Sequence, residues 1–169
     1  VWKNLSYHYR QSFNKYSDPY SLDNLSSSLE LAYVNLKVHD KFGFTIGKQF
    51  VNFGGYEYFV NSIKVREFSE FNNLLTCYQA GISGNWQINP DHELCFQIVN
   101  NRSGQDDEIY PTGLPENTRE AKVPFMYTVN WNSYYFDRVL QLRYAASMGQ
   151  QTQKRYSYYL TCGNTIEKG

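Results

Sequence analysis

Residues 74–88 read LLTCYQAGISGNWQI. The even positions Leu74, Thr76, Tyr78, Ala80, Ile82, Gly84, Trp86 and Ile88 are mostly apolar, whereas Gln79, Gly81, Ser83, Asn85 and Gln87 dominate the odd ones. Successive side chains of a β-strand leave opposite faces, so a period of two marks a strand lying between two different environments; a helix would repeat every 3.6 residues. The stretch is one long strand with a greasy side and a polar side.

The same alternation recurs in about eight segments. In the first, residues 1–13, Leu5, Tyr7 and Tyr9 oppose Ser6, His8 and Arg10. Between 29 and 38, Ala32, Val34, Leu36 and Val38 oppose Asn35 and Lys37, and between 41 and 50, Phe42, Phe44 and Ile46 oppose Lys41, Gly43, Thr45 and Gln49. Further on, Leu94, Phe96 and Ile98 oppose Glu93, Cys95 and Gln97, and Phe125, Tyr127, Val129 and Trp131 oppose Met126, Thr128, Asn130 and Asn132. Leu140, Leu142, Tyr144 and Ala146 then oppose Gln141, Arg143 and Ser147, and Tyr156, Tyr158 and Leu160 oppose Arg155, Ser157 and Thr161.

Composition agrees with a chain divided between two solvents. Its 169 residues include 16 Tyr and 11 Phe, yet mean hydropathy is -0.60. Sixteen basic residues balance 16 acidic ones, leaving no dominant positive field for nucleic acid. No run approaches the apolar length of a transmembrane helix, and the first ten residues lack the apolar region of a signal peptide. Neither fact argues against a membrane β-barrel, whose strands alternate weakly over about 10 residues.

Long connections (about 14–28, 52–70 and 101–122) alternate with short ones (39–41, 89–92 and 132–138). Outer-membrane barrels show this asymmetry, with short turns at one end and long loops at the other. The short connection near 149–154 departs from the scheme. Phe42, Trp86 and Trp131 flank the short turns, where rings with one wet and one greasy side suit a membrane boundary. A soluble barrel capped by aromatics is the competing reading.

Chemical motifs are absent: the chain has no nucleophile elbow, P-loop, dinucleotide fingerprint or zinc signature. Cys77, Cys95 and Cys162 have no metal or redox spacing and read as small apolar filler, and the acidic run 106–108 reads as solvated loop. Gly54 and Gly55 read as a tight turn with positive φ. No catalytic residue, metal or cofactor is expected. Arg10, Lys37, Lys41, Arg143 and Arg155 fall in the polar phase against Glu93 alone, so a water-filled barrel would have a locally positive wall that draws anions. In the competing reading these charges pair with loop carboxylates such as Glu57, Glu67 and Glu70.

The run AYVNLKVHDKFGFTIGKQF from Ala32, followed by VNFGGYE, resembles the Bacteroidetes porins related to the phosphate-selective porin O and P family. The matching positions are Ala32, Tyr33, Val34, Gly47, Lys48, Gln49, Phe53, Gly54, Gly55 and Glu57, and HELCFQIVNNRSG from His92 resembles the next hairpin of such porins. The resemblance implies a bacterial outer-membrane location and a water-filled antiparallel barrel of about 16 strands that passes small anionic or polar solutes. It also implies a loop folded inward as a constriction, here 52–70 with Lys64 and Arg66. Lys48, in the apolar phase, is expected at the rim or past a bulge.

Residues 1–169 are accordingly read as a single all-β barrel domain of about eight strands, forming part of a larger barrel. Polar faces rich in Gly, Ser and Asn would fill a closed eight-stranded interior poorly, and no strand ends in the terminal aromatic expected of such barrels. The expected partners are outer-membrane lipid, small solutes, and a second copy or another outer-membrane protein covering open strand edges. The alternative to a diffusion porin is a non-conducting barrel that serves as a subunit or scaffold of a larger outer-membrane assembly.

Overall fold

A computed structural model describes residues 4–12, 28–56, 77–101, 113–114 and 116–167. Eight strands follow one another: β1 (Leu5–Gln11), β2 (Leu29–His39), β3 (Phe42–Phe50), β4 (Tyr78–Asn89), β5 (His92–Asn100), β6 (Phe125–Tyr135), β7 (Leu140–Gln150) and β8 (Tyr156–Ile166). Each pairs with the next in one antiparallel sheet of order β1-β2-β3-β4-β5-β6-β7-β8. Among the described residues β8 does not return to β1, so the sheet is open.

Register carries the alternation from strand to strand. One row of register partners runs Tyr7, Val34, Ile46, Ile82, Ile98, Tyr127, Met148, Tyr158, entirely apolar or aromatic. The adjacent row runs Ser6, Asn35, Thr45, Ser83, Gln97, Thr128, Ser147, Tyr159, entirely polar. Exposure inverts the soluble pattern: Ile82 is 41% and Tyr127 42% exposed, whereas Ser83 and Thr128 are each 2% exposed. A soluble barrel would bury the first row and wet the second. Here the greasy face is the bare one, which suits lipid.

What covers the polar face is the chain itself. Val51 and Phe53, just past β3, pack with Val99 and Met126 in the buried apolar cluster. The short turns, at 40–41, 90–91 and 136–139, share one end of the sheet, and the long connections leave from the other. The third turn starts later than the sequence suggests, because β6 keeps pairing as far as Tyr135. Phe136, Asp137 and Arg138 then all take positive φ, at 53°, 52° and 69°. At the opposite end only residues 151–155 join β7 to β8. The preceding long connection rests on this short one through a Glu120–Thr152 bridge and a Gln153 N–H donated to Arg119 O at 3.0 Å.

Phe42, Trp86, Leu94, Trp131 and Tyr144 form one outer row near the turn end. His92 stacks on Trp131 at 6.0 Å. The aromatics expected to flank the short turns thus share one outer row, interrupted at Leu94.

Candidate functional site: a strap across the polar face

Instead of leaving the sheet, the chain after β3 turns across its polar face, and Gln97 holds the crossing. Its side-chain oxygen accepts the Asn52 N–H at 2.9 Å, and its amide donates to Phe50 O at 2.9 Å and to Gln49 Oε1 at 3.1 Å. Ser83 Oγ donates to the same Gln49 oxygen at 2.7 Å. Asn52 Nδ2 also reaches Cys95 Sγ at 2.9 Å, so Cys95 is a strap contact as well as filler.

Gly54 and Gly55 follow at φ 72° and 79°, the left-handed turn expected of them. Gly55 N–H donates to Arg143 O on β7 at 3.2 Å, and Thr161 Oγ1 on β8 donates to Phe53 O. The strap therefore spans from β3 to β8. It settles on Gly163, where an added Cβ would lie 2.6 Å from the Gly55 carbonyl carbon. Only a residue without a side chain admits so close a backbone approach. The described part of the loop expected to fold inward does so as far as Tyr56; Glu57, Glu67 and Glu70, with the candidates Lys64 and Arg66, lie outside the described residues.

The remaining predicted cations are dispersed. Arg10 Nε lies 2.7 Å from Glu30, and its guanidinium packs over the Tyr78 ring at 5.2 Å, so its partner is a strand carboxylate rather than a loop one. Lys37 Nζ lies 2.7 Å from Asp40 in the adjacent turn. The hydrogen bond from Lys37, aided by its charge, holds the Asp40 carboxyl below its ordinary pKa. Lys41 reaches Ile88 O across the neighbouring hairpin at 3.5 Å. Lys48 stands near the loop end of β3 with unbroken register to β4, hence at the rim without a bulge.

Arg143 lies on the polar face as expected. It bonds Gln141 Oε1 at 3.2 Å and sits over the Tyr134 ring at 5.8 Å. Arg155 needs correction: it precedes β8 and belongs to the connection, not to the strand's polar phase. There it lines a cavity of about 700 Å³ together with Arg119 and Lys154. Sequence reasoning missed that basic cluster because Arg119 comes from a different connection. It also passed over the uncharged network of Asn35, Thr45, Gln49, Ser83 and Gln97, whose signal was present in the polar phase.

A polar face covered by its own chain, backed by a lipid-compatible outer face, is the plan of a channel wall. The family model described as phosphate-selective porin O and P matches residues 1–169. The chain belongs to that porin family. Comparison with curated proteins and with solved structures gives no match. As a porin of the bacterial outer membrane, the protein turns the Ile82 face to lipid and the Ser83 face to the lumen. The family makes it a channel protein rather than an enzyme.

Proposed function

We propose that this porin is a passive diffusion channel for small hydrophilic solutes, with a modest preference for anions. The observation that carries the reading is the unbroken polar row across all eight strands, on the side away from lipid and crossed by the strap. The polar row seats the strap, the polar groups beside it offer hydrogen bonds to water and solutes, and the strap narrows the path. The anion preference rests on Arg143 beside the strap and on the Arg119, Lys154 and Arg155 cluster at the loop end.

Residues 1–169 act in this reading as one unit of a larger barrel. Unpaired backbone groups along the free edges of β1 and β8 are intolerable in hydrocarbon, so further strands or a partner chain cover them.

The test is conductance in planar bilayers. Well-folded protein should give steady single-channel currents, and silent but folded protein would favour the scaffold reading. Arg143→Gln with Arg155→Gln should move the anion-to-cation permeability ratio toward one, read as a shift of reversal potential in a salt gradient. An unshifted potential removes both residues from the ion path.

A further inference from the structure

Beside the strap, between β2, β3 and β4, lies a cavity of about 450 Å³. That is within the roughly 300–1,000 Å³ typical of small-molecule sites. We infer that it is a binding site for an uncharged polyhydroxylated solute, a mono- or disaccharide; the inference rests on the channel reading and names a solute class for it.

The lining is rich in neutral groups of both hydrogen-bonding senses. Asn35 Oδ1 accepts from Thr45 Oγ1 at 2.8 Å, and Asn85 Nδ2 donates to that hydroxyl at 3.5 Å. These bonds orient the two amides and leave Asn35 Nδ2 and Asn85 Oδ1 without a side-chain or backbone partner among the described residues. Asn52 donates its backbone N–H to Gln97 and one Nδ2 hydrogen to Cys95, which leaves its second Nδ2 hydrogen as a donor and its Oδ1 as an acceptor. Donors and acceptors thus both face the cavity, and a hydroxyl, which both donates and accepts, satisfies such a set.

Charge points the same way. Among the described residues Lys37 is the one cation lining the cavity and is already beside Asp40, while Glu93 supplies an acid. A phosphate or carboxylate would meet the Asn52, Asn85 and Glu93 oxygens with no unspent cation among the described residues to offset them. A sugar meets no such penalty. Tyr33, stacked on His8 at 4.9 Å, adds an aromatic wall of the kind that packs against the apolar face of a pyranose ring.

The experiment pairs binding with current. Maltose should bind the detergent-solubilised protein saturably by calorimetry and reduce channel current over the same concentration range, with inorganic phosphate binding more weakly. Asn35→Ala and Asn85→Ala should each weaken maltose binding about three- to tenfold, the loss of one neutral hydrogen bond. Calorimetry of the unmodified protein decides the matter even if a variant fails to fold. Phosphate binding tighter than maltose, or no maltose binding by a protein that conducts, would overturn the site while leaving the channel intact. Maltose binding by a protein that passes no current would support the site and sink the channel.

Discussion

Gly163 shows how much can depend on one missing side chain. The strap backbone occupies the space a Cβ would take, with Gly55 Cα 2.8 Å from the ideal position. Gly163→Val should therefore lift the strap from β8, change single-channel conductance, and cost about 1–3 kcal/mol in an unfolding titration, the usual penalty of overpacking. Gly84→Ala is the control, since its Cβ would make ordinary contacts with the Phe42 ring at 3.4 Å and the Phe44 ring at 3.7 Å on the lipid face; its conductance should match the unmodified protein. Gln97 works differently. It spends one oxygen and one amide on three strap or strand partners, so its burial at 2% exposure carries little unsatisfied polarity. Neither role was legible in the sequence: Gly163 meets a segment more than a hundred positions earlier, and Gln97 looked like one more polar-phase residue.

The strands themselves were legible, because alternation is a local signal and the outer-membrane setting leaves it uncorrected by a soluble core. Where the reading slipped, pairing rather than propensity decided. Tyr134 and Tyr135 looked like turn residues, yet their register with Gln141 and Leu140 keeps them in β6. Arg155 looked like a strand residue until the Thr152 hydroxyl, which accepts its N–H at 3.2 Å, placed it in a turn. The face assignment makes a quantitative prediction. Ile82→Lys, in the middle of the lipid-facing row, should destabilise the folded barrel in bilayers by about 2–4 kcal/mol, measured by equilibrium unfolding. Thr128→Lys, on the lumen face, should cost less and instead shift ion selectivity.

At the scale of the molecule, the strap ties together strands that the sheet alone keeps far apart. β3 and β8 are separated by four strands in the sheet order, yet Phe53 and Thr161 are hydrogen-bonded. The strap thereby braces the described sheet from its polar side. A basic cluster at the loop end stands apart from an inner cavity whose one described Lys and one described Glu offset each other, a division hidden by a net charge of zero. The two neighbouring rows, one apolar or aromatic and one polar as far as β7, also give each strand a parity. Deleting a single residue from the middle of β4 would exchange odd and even positions beyond the break and turn glutamine and serine to the acyl chains. Deleting two would shorten the strand and keep its faces. Natural length variation in this chain should therefore collect in the long connections and, where it enters a strand, come in pairs.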